Sequence, residues 1–216
     1  MGIKAVLIDY GGVLYRECNG FRELLKESIA RFLKSLGTEP DEALIEEGLK
    51  EWRFPGNVEQ NVSYAAALIL SLHGIRSSVG VVRALTNVMK ASIVSNTIPS
   101  PWAREFLEWI KGLGIKVAIV SNHWCHECVV ETLERDGLNE YLDAVVTSDL
   151  VGYCKPESRI YEAALKLLDV PPNEAVFIDD YPPNVEGALR AGIKYGIRYD
   201  GDYRKLVSEV KACLSR

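Results

Sequence analysis

The sequence predicts an α/β fold, a doubly wound parallel sheet carrying an inserted block of helices. Three observations lead there. Short apolar runs, mostly β-branched, recur at 3–8, 115–120, 144–147, 175–178 and 194–198, as strands covered on both faces do. From residue 97 onward these runs alternate with amphipathic helical stretches, the pattern of parallel βαβ units. Between the first run and residue 97 the alternation stops and helical periodicity takes over.

The first run continues into a turn, I-K-A-V-L-I-D-Y-G-G-V-L over 3–14. It delivers one acid, Asp9, to the C-terminal end of a strand, where open α/β sheets bind ligands. The next segment carries four helical stripes. Phe21, Leu24, Leu25, Ile29, Phe32, Leu33 and Leu36 form the first, Leu44, Ile45, Leu49 and Trp52 the second, and 65–72 and 81–93 the others. With no strand expected among them, residues 16–96 are predicted to be a helical cap inserted after the first strand. The core then comprises 1–15 and 97–216, re-entered at Pro99-Ser100-Pro101. Trp102, Phe106, Trp109, Ile110 and Leu113 repeat at three and four, with Gly114 closing that helix. Similar periodicity covers 126–136, 157–168, 183–191 and 203–214.

Composition narrows the function. The chain of 216 residues is long enough for one large domain or one domain with an insertion. With 25 basic against 30 acidic residues its net charge is -5, and no basic stripe suggests nucleic acid or an anionic membrane. The longest purely apolar stretch, 64–70, falls far short of the ~20 residues of a membrane span. The first strand is too short for a secretory signal, and Val6 stands where a myristoylation signal needs Ser or Thr. A soluble cytoplasmic protein, monomer or homodimer, acting on a small molecule is the expectation. Five cysteines, an odd number, are expected to be reduced thiols.

Asp9, Ser121, Asp179 and Asp180 each end or just follow a predicted strand, so a parallel sheet brings them to one edge. Any one of them alone could be a helix cap or turn residue; the ordered set is harder to explain that way. Two like charges ~4 Å apart repel by about 4 kcal/mol at an effective dielectric of 20, so three acids need cations. A hard divalent ion held by carboxylates, a carbonyl, water and substrate oxygen meets that need, as Mg²⁺ does, and Lys155 offers a second positive charge.

Four motifs in order carry a family resemblance: D-Y-G-G-V-L at Asp9, V-S-N at Ser121, G-Y-C-K-P-E at Lys155 and F-I-D-D-Y-P-P-N-V-E-G-A at Asp179-Asp180. Over essentially the whole chain they resemble the haloacid dehalogenase superfamily of phosphatases and related hydrolases, whose Rossmann-like core often carries a helical cap of this placement (type C1). The resemblance implies that Asp9 attacks phosphorus to form an aspartyl-phosphate. It implies that Asp9, the Gly11 carbonyl, Asp179 and Asp180 hold Mg²⁺, and that Ser121 and Lys155 bind and stabilise the phosphoryl group. Gly12, Asn122 and His123 would line the phosphate site, and Asn184 would brace it from the next helix.

One position departs from the family. The second acid of its first motif, a general acid–base worth ~10²–10⁴-fold, is Gly11 here. Substrates needing little leaving-group protonation, a substitute such as Tyr15, Glu17, His123 or a cap residue, or a slow or inactive relative would each account for this. Superfamily dehalogenases, which need no metal, also lack that acid, but they usually lack the acid pair that Asp179-Asp180 supplies. The expected activity is therefore Mg²⁺-dependent hydrolysis of a small phosphorylated metabolite. The alternatives are metal-independent 2-haloacid dehalogenation and a catalytically degenerate binding protein.

His123-Trp124-Cys125-His126-Glu127-Cys128 invites a metal or redox interpretation. A closed zinc site usually draws on two separated pairs, so the two cysteines are expected to be small buried hydrophobes on a helix. His73 is expected at a helix end. Trp52-Arg53-Phe54-Pro55 could face the pocket or simply close a cap helix.

Overall fold

The computed structural model describes residues 2–50, 53–54 and 58–215, the side chains of 53, 54 and 58 excepted. Strand β1 (Ala5–Ile8) leads through the glycine turn to β2 (Tyr15–Glu17). Helices α1 (Phe21–Ser35) and α2 (Glu42–Gly48), the short strands β3 (Arg53–Phe54) and β4 (Val58–Glu59), and helices α3 (Val62–Leu72) and α4 (Val79–Ser95) follow. The chain returns through β5 (Thr97–Pro99) and then alternates: α5 (Ala103–Gly112), β6 (Lys116–Ser121), α6 (His126–Arg135), β7 (Ala144–Thr147), α7 (Ser148–Val151), α8 (Ser158–Leu168), β8 (Ala175–Asp179), α9 (Pro182–Arg190), β9 (Tyr195–Arg198) and α10 (Tyr203–Leu214).

Among the described residues one five-stranded sheet has the order β7-β6-β1-β8-β9, with every pairing parallel. The α/β doubly wound architecture expected from the sequence is thus the one observed. Side chains alternate across β1 as strand geometry requires. Val6 and Ile8 join Val117, Ile119, Val176 and Ile178 in a core under Phe106, Val129 and Leu206. Ala5 and Leu7 join Ala118, Val120 and Phe177 in the opposite core under Ile160, Tyr161 and Ala188. Both faces are covered, which is why the central strands read as unbroken apolar runs.

Helices α1 to α4 pack on one another through Leu25, Ile29, Ile45, Ala65, Ile69, Leu85 and Met89, and this cluster also takes in Cys125 and Cys128. Asp41 caps α2 by accepting from the amides of Ala43 and Leu44, and Asn61 caps α3 by accepting from Tyr64. No membrane-length apolar helix occurs among the described residues.

Two strand pairs correct the all-helical expectation for this segment. Strand β2 pairs antiparallel with β5, Tyr15 opposite Pro99 and Glu17 opposite Thr97. Strands β3 and β4 pair as a second ribbon. Trp52 and Pro55 lie outside the described residues, as do the side chains of Arg53 and Phe54. His73 ends α3, its Nε2 accepting from the Asp41 amide at 3.1 Å, a helix-end role as expected.

Candidate active site

Strand register sets the site. Ile8 lies level with Ile119 on one side and Ile178 on the other, so the residues that follow share one edge. The Asp9 amide donates to the Ile178 carbonyl at 2.9 Å. Asp9, Asp179 and Asp180 each offer a carboxylate oxygen, all within 4.8 Å of one another. Asp9 and Asp179 are buried, and Asp180 stands at the open side.

Lys155 joins them. Its Nζ lies 2.8 Å from Asp9 Oδ1 and 2.6 Å from Asp179 Oδ2, with the side chain 1% exposed. Asn122 holds that lysine from its backbone: Oδ1 accepts from the Lys155 amide at 2.6 Å and Nδ2 donates to the Lys155 carbonyl at 3.0 Å. Behind the lysine, Pro156 presses on α9 where only a glycine fits. A Cβ at Gly187 would lie 2.5 Å from Pro156 Cβ and 2.8 Å from its carbonyl oxygen.

Both Asp179 oxygens are already engaged. Oδ1 accepts from the Tyr181 amide and from Asn184 Nδ2, and Oδ2 accepts from Lys155 and the same Asn184 amide. Asp9 Oδ1 accepts from the Tyr10 amide at 2.7 Å as well as from Lys155. Burial pushes the Asp9 carboxyl up to about 6; the Lys155 ammonium pulls it back, the Asp179 charge raises it again, and hydrogen bonds from Lys155 and Ser121 lower it. Asp180 is raised as well, by partial burial and by Asp179.

The turn after Asp9 owes its two glycines to different causes. Gly12 has φ 78°, and a Cβ there would lie 2.8 Å from Asp180 Cγ, so glycine serves both the left-handed backbone and the close approach of the acid. At Gly11 an added Cβ would meet nothing within 4 Å.

The proposed substitutes for the missing acid separate clearly. Tyr15 is fully buried, its hydroxyl donating to the Thr132 carbonyl and to Asp136 Oδ2, and burial raises its pKa. It faces α6, away from the acids. His123 Nδ1 accepts from the Cys125 amide at 3.1 Å, which puts the ring proton on Nε2, and burial drops its pKa to about 4. Its ring rests edge-on against Tyr10, 5.7 Å between centroids. Glu17, on β2, borders a cavity that Asn122 also lines.

The cysteines correct the sequence expectation. Cys125 and Cys128 form a disulfide, with Cα atoms 5.3 Å apart. They were expected as reduced thiols on a helix. Cys125 instead caps α6, its Sγ accepting from the Cys128 amide, and the cap turns its sulfur toward the next turn. Both are buried, as expected, while Cys18, Cys154 and Cys213 are not disulfide-bonded.

A parallel sheet with a buried acid at its C-terminal edge, a lysine shared with a second acid and an acid pair on the neighbouring strand places the chain among Rossmann-like α/β proteins with an acidic site at the strand ends. The chain belongs to the haloacid dehalogenase-like hydrolase family, whose model matches residues 3–192. It is 35% identical over 115 residues to a phosphorylated carbohydrates phosphatase of Thermotoga maritima, covering 52% of this chain and 53% of that protein. It is 40% identical over 94 residues to haloacid dehalogenase-like hydrolase domain-containing protein 3 of Xenopus laevis, covering 43% of this chain and 38% of that protein. The chain thus spans about half, or less, of these curated relatives. The structure of a HAD phosphatase of Thermococcus onnurineus superposes with a TM-score of 0.62 at 26% identity, covering 93% of this chain and 88% of that one.

Proposed function

We propose that the protein is a Mg²⁺-dependent phosphomonoester hydrolase that passes the phosphoryl group of a small phosphorylated metabolite to Asp9 and then to water. The observation that carries this is the buried Asp9 carboxylate, sharing Lys155 with Asp179 and clustered with Asp180. The phosphatases among its relatives support the reaction class.

The residues present fit a magnesium ion. The donor set is all hard oxygen, and the missing Cβ at Gly12 keeps the Asp180 carboxylate beside the Asp9 turn. Because Asp179 is saturated by protein donors, Asp9, Asp180 and the Gly11 carbonyl would hold the ion, with Asp179 acting through water. When bound, the ion offsets the charge that otherwise opposes an anionic nucleophile meeting an anionic phosphate.

The chain's own groups do the rest. An Asp9 oxygen attacks phosphorus, and the bond to the leaving oxygen breaks as the bond to Asp9 forms. The leaving oxygen takes its proton from water. A second water then attacks the aspartyl-phosphate, returning the carboxylate and releasing inorganic phosphate. Lys155 and Ser121 donate to phosphoryl oxygens, Asn122 and Asn184 fix Lys155 and Asp179, and Gly12 and His123 border the phosphate. Residues 16–96 act as the cap that closes over this edge and excludes water. A soluble, cytoplasmic setting belongs to the same proposal.

The test is hydrolysis of an aryl phosphate with and without Mg²⁺, by wild type and Asp9→Asn. Metal-dependent turnover that falls roughly 10³-fold or more in the variant is expected. Equal rates in the two proteins, or halide release from a 2-haloacid without metal, would overturn the assignment.

A further inference from the structure

A cavity of about 220 Å³ lies between the helical segment and the loop after β6, one residue, Asn122, away from the Lys155 backbone. Asn122 connects cavity and lysine, since the side chain that clasps Lys155 also forms part of the cavity wall. We infer that this cavity, walled by Glu17, Glu59, Gln60 and Trp124, seats the leaving group and accepts one rich in hydrogen-bond donors, hydroxyls or an ammonium, and free of a second acid. The inference rests on the proposed phosphoryl transfer to Asp9.

Gln60 points to the ligand. Its side chain is buried, at 4% exposed, and its Nε2 donates to the Lys50 carbonyl at 3.0 Å. That bond fixes which end of the amide is oxygen. Its Oε1 is buried and, among the described residues, has no hydrogen-bond partner. A buried acceptor left unpaired is costly; Gln60 also lines the cavity, so a bound donor that draws the amide toward it relieves that cost.

The remaining polar wall has the same character. Glu59 Oε2 is held in place by the Ser148 hydroxyl at 2.9 Å and the Cys154 thiol at 3.3 Å. Glu17 faces the cavity from β2. Arg22 also lines it, but its guanidinium is already engaged by Glu46, through Nε at 3.0 Å and Nη2 at 2.6 Å. Among the described residues, two acids and an orphan amide oxygen against one arginine paired with Glu46 make an acceptor-rich, anionic wall. A second phosphate or a carboxylate on the substrate would meet like charge there. The apolar face of Trp124 suits the C–H face of a ring or a polyol chain.

The experiment compares kcat/KM for sorbitol 6-phosphate, glucosamine 6-phosphate, phosphoglycolate, fructose 1,6-bisphosphate and p-nitrophenyl phosphate. The first two are expected to exceed phosphoglycolate and the bisphosphate by at least roughly tenfold. Glu17→Gln and Glu59→Gln are expected to narrow that gap, and a larger loss for the amino sugar than for the polyol identifies the ammonium as the preferred donor. Gln60→Leu is expected to lower kcat/KM for sorbitol 6-phosphate by roughly tenfold more than for the aryl ester. Thermal melts of each variant separate lost recognition from lost folding, and Glu17→Gln, on an exposed side chain, keeps the test open if Gln60→Leu does not fold. If the anionic substrates match or exceed the others in the wild type while p-nitrophenyl phosphate is still hydrolysed through Asp9, the inference fails and the phosphatase reading stands. If no ester is hydrolysed, both fail.

Discussion

Lys155 Nζ lies 2.8 Å from Asp9 Oδ1, inside a wall that leaves the lysine 1% exposed. The same nitrogen reaches Asp179 at 2.6 Å, so one ammonium compensates two buried carboxylates. Removing a partner from a buried ion pair leaves the other charge uncompensated, at a cost of about 3–5 kcal/mol. Lys155→Met is therefore expected to lose about that much stability in metal-free buffer at pH 8. The loss should be smaller at pH 5, where protons can replace the missing cation. Urea denaturation with a chelator at both pH values checks this, and an equal loss at the two would count against the shared-charge account.

Asp9 titrates near 6 when the ion is absent, its carboxyl raised chiefly by burial. The folded protein therefore binds a proton at this site between about 4 and 6 that the unfolded chain, with an ordinary Asp near 3.9, has released. By linkage this group's contribution favours the fold most below about 4 and declines as pH rises to about 6, then stays flat. Denaturation of the metal-free protein from pH 4 to 7 should show that decline relative to Asp9→Asn, in which the titrating group is gone. Parallel pH curves for the two proteins would contradict it.

Gly187 lets Pro156 rest directly on α9, which holds the Lys155 segment from behind. Gly187→Ala inserts a methyl where there is no space, and overpacking of this kind costs about 1–3 kcal/mol. The expected result is a lower melting temperature together with a fall in kcat for aryl phosphate larger than any change in KM. A variant that melts lower but retains full kcat would show that Pro156 does not position the lysine.

Gly11 has open space where its Cβ would be, so Gly11→Asp should be accommodated and supply the absent general acid. Turnover of alkyl phosphates, whose leaving oxygen needs a proton, is expected to rise by roughly 10²-fold. Aryl phosphate, with a leaving group that departs unprotonated, should gain little. An equal effect on both substrates would mean that the new carboxyl acts by some other route.

Much of this architecture is legible in the residues. The apolar runs at 144–147 and 175–178 match the observed strands Ala144–Thr147 and Ala175–Asp179 almost residue for residue, because a strand buried on both faces leaves an uninterrupted signature. The acids converge because each ends such a strand. What escapes has no local pattern. Three residues of β2 and three of β5 carry no periodicity, and their pairing depends on where the chain returns after 79 intervening residues. The Cys125–Cys128 bridge escapes because spacing says nothing about oxidation state. Glu59 and Gln60 sit between a short ribbon and a helix cap, where only the folded cavity reveals their shared face.

The pairing of Glu17 with Thr97 has a further consequence. Departure and return points of the four-helix segment are neighbours, so the five-stranded sheet meets it across a gap that a tight turn could bridge. Swapping residues 18–96 for a different helical block with similarly close ends would leave the path from β1 to β6 geometrically undisturbed. The joint is built for exchange: new selectivity can be grafted without rebuilding the acids beneath it.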